Sequence, residues 1–170
     1  LGIKDENMNT LLEDFTPVKG RMNILERDPF MIIVDFAHTP NGLLNALQSV
    51  NKLKAKNGRI ILVFGCASQR DDYKRRIMGK YAKKYADITI LTAEDCRMES
   101  LRKINDEIEK GWREYRTNAK RKLIRFDDDK HNVKVRRDAI KKAISLAHKG
   151  DVVLITGKGH ERSLCFGVRE

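Results

Sequence analysis

The sequence predicts an α/β domain whose doubly wound sheet is mostly parallel. Continuous apolar runs of strand length alternate along the chain with segments in which apolar residues recur at helical spacing. Apolar runs of this kind are typical of strands covered on both faces, and their alternation with helices favours right-handed crossovers. The chain has 170 residues, which predicts one domain, because domains commonly contain about 100 to 200 residues.

The predicted strands differ in how strongly the sequence marks them. Continuous apolar runs predict buried strands at 30–36, 59–64, 87–92 and 151–156. An alternating pattern predicts a strand at 21–26, and apolar residues mark further candidates at 122–126 and 164–168. Together with the helices, these strands predict a Rossmann-like arrangement.

Four segments show the apolar spacing of amphipathic helices. The first begins at Thr39, a capping residue followed by Pro40 in the first turn, and is expected to end near residue 57. The others are expected around 77–85, 101–108 and 133–148. Each helix falls between two predicted strands, as a crossover connection requires.

Composition restricts the class of protein. The chain carries 35 Lys and Arg against 24 Asp and Glu, a formal net charge of +11, which suits an anionic partner such as a nucleotide, a phosphorylated substrate or a nucleic acid. No apolar run reaches the roughly 18 residues of a membrane span, and residues 1–10 do not resemble a signal peptide. No membrane partner is therefore expected. Three cysteines without a CxxC pair predict reduced thiols in a cytoplasmic protein.

Four polar clusters follow predicted strands, at 35–40, 65–76, 92–99 and 157–161. Because open α/β sheets bind ligands beyond the carboxyl ends of their strands, we expect these clusters to form one site. Residues 1–19 are polar and end in a Pro/Gly segment, so they are expected to be the tail of an upstream domain and a linker.

Several of these polar residues have two possible interpretations. Asp35 and His38, just before a helix, suit a ribose hydroxyl and a nucleotide, but Asp35 and Thr39 also suit a helix cap. Arg97 suits a carboxylate ligand or an ion pair with its neighbours. The mixed charges at 70–76 are interpreted as a solvated face, the usual outcome for such a run.

The basic segment 113–125, next to Trp112, also has two interpretations. It suits a nucleic-acid patch, but a solvated helix end and loop is favoured because no nucleic-acid-binding motif accompanies it. The Gly157–Lys158–Gly159 sequence is not a phosphate loop, since the pattern GxxxxGK[ST] is absent from the chain.

The polar clusters, taken in order, resemble the C-terminal domain of the Mur ligases, the ATP-dependent amide-bond ligases of peptidoglycan synthesis. The resemblance is strongest to the UDP-N-acetylmuramoyl-tripeptide synthetases. The family patterns are P-V-x-G-R-M/L, D-Y-A-H-T-P-D, F-G-x-G-G-D-R-D-x-x-K-R-x-x-M, D-N-P-R-x-E and G-K-G-H-E. The matching segments of this chain are 17–22, 35–41, 64–71 with Lys74, Arg75 and Met78, 94–99, and 157–161.

The resemblance implies a division into parts and a role for each of six residues. Residues 1–16 are then the end of a central ATPase domain, 17–20 a linker and 21–170 the Mur ligase C-terminal (glutamate ligase) domain. The resemblance implies ATP-binding roles for Arg21 at the phosphates, Asp35 at the ribose and His38 beside the nucleotide. It implies amino-acid-binding roles for Arg97 at a carboxylate, for Gly157, and for Glu161 at an ammonium.

The resemblance also implies the cofactors and partners. The parent enzyme is expected to use ATP and Mg²⁺ to join a diamino acid to UDP-MurNAc-L-Ala-D-Glu. Its phosphate loop and metal ligands are expected in the missing central domain, so this chain is expected to contribute positioning groups only and no metal ligand. The remaining partners are the N-terminal and central domains of the same chain, and nucleic acid is not expected to be one.

The chain departs from the family pattern in three places. Residues 67–69 replace Gly-Gly-Asp, and Glu94, Asp95 and Cys96 replace Asp-Asn-Pro before the retained Arg97. The arginine argues for a diamino acid with a distal carboxylate, such as diaminopimelate or lanthionine, although lysine is also an alternative. The chain stops soon after 164–168, where the family continues into a helix, so a truncated fragment is expected.

Two alternatives come from different classes. One is another ligase of the superfamily, either folylpolyglutamate synthetase-like or a poly-amino-acid ligase, which the Gly157–Glu161 cluster and Arg97 disfavour. The other is a basic nucleic-acid-binding module centred on 112–125.

We predict that residues 1–170 alone neither hydrolyse ATP nor form an amide bond, because the family's phosphate loop lies outside them. The measurement is phosphate release and ligation by the purified chain with MgATP present. ATP turnover by the purified chain would overturn the domain assignment.

Overall fold

A computed structural model describes residues 18–69, 71–127, 133–161 and 163–167. Within these ranges the strands are β1 Asn23–Glu26, β2 Met31–Asp35, β3 Ile60–Phe64, β4 Ile88–Leu91, β5 Lys122–Arg125 and β6 Val152–Thr156. The helices are α1 Pro40–Leu53, α2 Tyr73–Tyr85, α3 Leu101–Glu114 and α4 Lys134–Leu146. The predicted upstream tail 1–16, Pro17 of the linker, Arg70 and Val168 lie outside the described residues.

The six strands form one sheet in the order β1-β2-β6-β3-β4-β5. Only β1 is antiparallel to its neighbour, and every other pairing is parallel. The predicted doubly wound, mostly parallel sheet is therefore confirmed.

The central strands are covered on both faces. Every residue of β3, β4 and β6 is buried, and alternate residues of β3 point to opposite faces. Ile60, Leu62 and Phe64 pack in a core with α1, α2 and α3. Ile61 and Val63 pack in a second core against Ala139 and Ala143 of α4. This two-sided burial explains why these strands are continuous apolar runs rather than alternating ones.

Several element boundaries differ from the sequence predictions. Helix α1 ends at Leu53 because Lys54 is extended, and the loop beyond it packs on residue 150, whose carbonyl accepts from the Ala55 amide at 3.3 Å. Helix α3 continues past Ile108 to Glu114 because Gly111 and Trp112 continue its buried face. The candidate strand at 164–168 is wrong for its described part, where Phe166 makes only an isolated bridge to Arg97.

Helices α2 and α3 approach each other closely through glycine. A Cβ at Gly79 would lie 2.1 Å from the carbonyl oxygen of Ile108, and one at Gly111 would lie 1.9 Å from that of Arg76. Both distances are shorter than any real carbon–oxygen contact. Glycine is therefore required at both positions by the spacing of the helices.

The interpretation of 70–76 as a solvated face is wrong for Lys74 and Arg75, which are buried. The Arg75 side chain is 0% exposed and lies 2.7 Å from Glu99 and 2.8 Å from Glu107. Lys74 is buried and donates to the carbonyl of His38 at 2.9 Å. Burial of these charges is possible because carboxylates and carbonyls distant in the sequence accept their hydrogen bonds.

Three of the six Lys and Arg residues in the basic segment 113–125 form ion pairs among the described residues. Arg113 pairs with Glu109, Arg121 with Asp87, and Arg125 with three carboxylates. This pairing favours the predicted helix end and loop over a nucleic-acid surface. In the part of the chain that the structure describes, no helix is long and apolar enough to cross a membrane.

The three cysteines are buried and free, as the sequence predicted. Burial raises the pKa of the Cys66 thiol, and nearby Glu94 raises it further. A thiol in this state packs as a small apolar group and is a poor nucleophile.

Replacing Arg75 by methionine should lower the free energy of unfolding by about 3 kcal/mol, because removal of one partner leaves inward-facing carboxylates without their cation. The matched control is Arg76→Met, whose side chain is 53% exposed and pairs with Glu114, and we expect it to cost less than about 1 kcal/mol. Urea unfolding measures both. Equal losses in the two variants would contradict the buried-network interpretation.

Candidate functional site

A cleft of about 390 Å³ opens at the carboxyl edge of the sheet. Its lining comes from all four polar clusters and consists of Phe36, His38, Thr39, Pro40, Ala67, Asp71, Lys74, Glu94, Asp95, Arg97, Gly157, Lys158 and Glu161. The expectation that the four clusters meet at one edge is confirmed. His38, Arg97, Gly157 and Glu161 line the cleft, whereas Arg21 and Asp35 are not part of its lining.

Asp35 ties the segment before β1 to the end of β2. Its Oδ2 accepts from the Met22 amide at 2.8 Å, and its Oδ1 accepts from the Ala37 amide at 2.9 Å. The cap of α1 is Thr39, whose Oγ1 accepts from the Gly42 amide at 3.2 Å. The helix-cap interpretation is therefore right for Thr39 and wrong for Asp35. Each Asp35 oxygen retains accepting capacity, since a carboxylate oxygen has two lone pairs.

Phe36 is the centre of a cluster of cationic and aromatic groups at one end of the cleft. The Arg21 guanidinium lies 4.4 Å from the centre of the Phe36 ring. The rings of His38 and His160 lie 4.6 and 5.6 Å from it, centre to centre. Nδ1 of His38 is 3.0 Å from the carbonyl oxygen of Phe36, and because a carbonyl only accepts, Nδ1 carries the proton and Nε2 is an acceptor while the ring is neutral. Arg21 therefore packs on the ring of Phe36, which lines the cleft together with His38.

Arg97 is held by the segment 163–167. Its amide donates to the carbonyl of Cys165 at 3.0 Å, and its carbonyl accepts from Gly167 at 2.8 Å. Asp95 adds a third contact by accepting from the Cys165 amide at 2.9 Å. The backbone of Arg97 has a φ of 48°, a left-handed conformation that is uncommon for a residue with a side chain. These contacts hold Arg97 in that conformation at the cleft.

The Arg97 side chain has an unsatisfied donor. Its Nε is buried and has no hydrogen-bond partner among the described residues. The Nε atoms of Arg75 and Arg121 are also buried without a partner among the described residues, but of the three arginines only Arg97 lines the cleft. An acceptor supplied by a ligand would satisfy this nitrogen.

Glu94 is a buried carboxylate at the cleft. The residue is 5% exposed, and its Oε2 has no hydrogen-bond partner among the described residues. Gly157, with a φ of +95°, makes room for this oxygen, because a Cβ there would lie 2.6 Å from Oε2. Burial raises the pKa of Glu94 to about 7, against the opposing effect of Lys74 and Arg136.

The other charges of the cleft have partners. Lys158 pairs with Asp95 at 2.7 Å, and Glu161 accepts from the Gly159 amide at 3.0 Å. The cleft thus offers a guanidinium on one loop and carboxylates on three. Opposite charges held on rigid loops suit a zwitterionic ligand, since charge-assisted hydrogen bonds are the stronger ones.

Sequence analysis missed Arg136, which lies behind the cleft. Its two terminal nitrogens donate to the carbonyls of Ala93 at 3.0 Å and Thr156 at 2.9 Å. The sequence did contain a signal for it, because Arg136 shares a helical face with Ala139 and Ala143 and is buried with them. A charged residue on an apolar stripe indicates a buried partner.

Comparison with known proteins assigns the fold to a family. Residues 20–159 match the family model described as Mur ligase, glutamate ligase domain. A protein of Aquifex aeolicus named UDP-N-acetylmuramoyl-L-alanyl-D-glutamate–2,6-diaminopimelate ligase is 44% identical over 85% of this chain and 27% of its own length. A protein of the same name from Fusobacterium nucleatum is 36% identical over 100% of this chain and 33% of its own length.

Solved structures agree with this assignment. A structure of a UDP-N-acetylmuramoyl-L-alanyl-D-glutamate–2,6-diaminopimelate ligase matches with a TM-score of 0.71 and 28% identity, over 97% of this chain and 31% of that one. A bifunctional folylpolyglutamate synthase/dihydrofolate synthase from Yersinia pestis matches with a TM-score of 0.63 over 93% of this chain and 32% of that one. At 19% identity, the second match shows a common fold alone. The chain therefore spans about a third of the length of the relatives it matches.

Glu94 should make folding stability depend on pH in an unusual direction. Its pKa is about 7 in the folded state against 4.5 ordinarily, so the folded chain binds this proton more tightly, and stability falls as pH rises through that interval. Between about pH 4.5 and pH 8 the wild type should lose on the order of 3 kcal/mol more than Glu94→Gln. Urea unfolding at both pH values tests this, and parallel pH profiles for the two proteins would contradict it.

Proposed function

Because this chain belongs to the Mur ligase family, we propose that it is the nucleotide- and amino-acid-binding C-terminal domain of an ATP-dependent ligase. The proposed reaction joins a diamino acid to UDP-MurNAc-L-Ala-D-Glu in peptidoglycan synthesis. The names of the relatives from Aquifex aeolicus and Fusobacterium nucleatum support diaminopimelate as the diamino acid. A cytoplasmic location is part of the proposal, since the nucleotide-linked substrates and ATP are available there.

The observation that carries the proposal is that one cleft is lined both by Arg97 and by carboxylates, among them Glu161. In the proposed complex, the unsatisfied Nε of Arg97 and the rest of its guanidinium bind the distal carboxylate of the diamino acid. Glu161 accepts from an ammonium group, and Gly157 keeps the adjoining wall free of a side chain. Both ends of the amino acid are then held by rigid elements.

The nucleotide is proposed to bind at the Phe36 end of the cleft. Asp35, anchored by two backbone amides, accepts from a ribose hydroxyl with its remaining lone pairs. His38 lies beside the nucleotide, and Arg21 extends from the Phe36 ring toward the phosphates. The basic character of Arg21 suits phosphate oxygens, because guanidinium groups bind them through two parallel hydrogen bonds.

In the proposed reaction, the γ-carboxylate of the D-glutamyl group is phosphorylated by ATP. The amine of the diamino acid then attacks the acyl phosphate, the amide bond forms and phosphate leaves. Mg²⁺, when bound, neutralises the phosphoryl oxygens; its ligands and the phosphate loop are proposed to lie in the central domain of the same protein. This chain's residues bind the nucleotide and orient the amine, so their contribution is positioning and electrostatic stabilisation.

The substrate assignment is tested by comparing acceptors in the protein that contains this chain and its upstream domains. Wild type should use diaminopimelate or lanthionine better than lysine or ornithine. Arg97→Ala should weaken the use of diaminopimelate by about 2 to 5 kcal/mol in transition-state binding while leaving the KM for ATP nearly unchanged, because one buried charge-assisted contact is lost. The measurement is kcat/KM for each acceptor.

The matched control is Arg113→Ala, which removes an arginine whose side chain is 72% exposed at the end of α3. It should leave kcat/KM for every acceptor close to that of wild type. A wild-type preference for lysine that Arg97→Ala does not alter would refute the role assigned to Arg97.

A further inference from the structure

We propose that Arg136 is a positioning residue for the amino-acid half of the cleft, acting through the loops after β4 and β6 rather than by touching a ligand. The inference rests on the proposed function for the identity of the ligand, an amino acid with a free ammonium group. It assigns a role to a residue of α4 that lies outside every polar cluster recognised in the sequence.

The first argument is the position of the two carbonyls that Arg136 binds. Ala93 lies in the loop after β4 and directly precedes Glu94, whereas Thr156 is the last residue of β6 and directly precedes Gly157, so both acceptors adjoin residues that line the cleft. Strands β4 and β6 are not neighbours, since β3 lies between them in the sheet. The guanidinium therefore joins two loops that no strand pairing joins, from below the cleft, while the Lys158–Asp95 ion pair joins them at the cleft itself.

The second argument is where the countercharges of Arg136 lie. The residue is 6% exposed, and the carboxylates that act on its charge are Glu94, Asp95 and Glu161. All three belong to the lining of the cleft. A neutral donor would satisfy two backbone carbonyls equally well, so the buried full charge is explained by the acidic groups in front of it.

The third argument is the effect of this charge on Glu94. Four charged groups act electrostatically on Glu94, and they are Lys74 of α2, Arg136 of α4, the adjacent Asp95, and Lys158 of the loop after β6. Glu94 in turn raises the pKa of the Cys66 thiol, which follows β3. Lys158 already pairs with Asp95 and Lys74 donates to His38. Arg136 is thus a cation behind Glu94 that favours the ionised carboxylate, the form that attracts an ammonium group.

Two variants separate the hydrogen bonds of Arg136 from its charge. Arg136→Met removes both, whereas Arg136→Lys keeps the charge and cannot bridge the two carbonyls in the same way. The matched control is Arg137→Met, which removes the neighbouring exposed arginine that pairs with Asp138.

The first measurement is the pKa of Glu94 in the 170-residue chain. An NMR titration of its side-chain carboxyl carbon gives this pKa, and Glu94→Gln identifies the resonance. The pKa of Glu94 should rise further in Arg136→Met and stay near the wild-type value in Arg136→Lys and Arg137→Met. An unchanged pKa in folded Arg136→Met would overturn the electrostatic part of the inference.

The second measurement is steady-state kinetics of the full-length ligase. Both Arg136 variants should raise the KM for the diamino acid by about tenfold or more, because a displacement of the loops misplaces the bound amino acid, and should leave the KM for ATP within about twofold of wild type. If kcat/KM for the diamino acid rises with pH as Glu94 ionises, the midpoint of that rise should move to higher pH in Arg136→Met only, because only this variant removes the positive charge behind Glu94. If Arg136→Met does not fold, Arg136→Lys decides, and an unchanged KM for the diamino acid in that variant would overturn the inference.

The two proposals fail in different ways. If the wild-type full-length protein ligates no diamino acid, the proposed function fails. The titration of Glu94 in the 170-residue chain still tests the electrostatic role of Arg136 in that case. If wild type ligates diaminopimelate and the Arg136 variants behave as Arg137→Met does, the inference about Arg136 fails alone.

Discussion

The parallel pairing of β2, β6, β3 and β4 places four strand ends at one edge of the sheet, and the cleft is lined by the loops that follow those ends. Parallel strands require crossover helices, and these helices cover both faces, so polar residues from distant segments meet at this open edge. The position of the site thus follows from the parallel direction of the strands. Side chains from the helices behind the site hold its loops.

Buried charge supports this edge from two sides. Arg75 of α2 binds Glu99, in the same loop as Arg97, and Glu107 of α3. Arg136 of α4 binds a carbonyl in the loop after β4 and the carbonyl of the last residue of β6, from the opposite face of the sheet. Both arginines act within the layer next to the cleft, where desolvation makes a guanidinium costly unless its hydrogen bonds are satisfied. The loop from Glu94 to Glu99 is therefore held by both helical layers.

The two ends of the cleft have different chemistry. Around Phe36 the groups are Arg21, His38 and His160, which suit an anionic, aromatic ligand such as a nucleotide. Around Arg97 the groups are carboxylates opposed by one guanidinium, which suit a zwitterion. Lys74 joins the ends, since it donates to His38 and acts electrostatically on Glu94. This difference in chemistry supports the proposal that the domain binds a nucleotide at one end of the cleft and an amino acid at the other.

The sequence by itself determined the alternation of strands and helices, the sheet type and the meeting of the four clusters at one edge. Periodicity is a local property of the sequence, and the alternation of strands with helices predicts a parallel sheet whose strand ends share one edge. The sequence did not determine which charges are buried: Arg75 lies in a run that is typical of a solvated face, and Arg136 lies on a helix interpreted by its apolar residues alone. Their partners are 24 and 32 residues away for Arg75, and 43 and 20 residues away for Arg136. Only the tertiary structure brings such partners together, because ion pairing depends on distance in space and leaves no periodic trace in the sequence. The same holds for the left-handed backbone of Arg97, which hydrogen bonds from the segment 163–167 maintain.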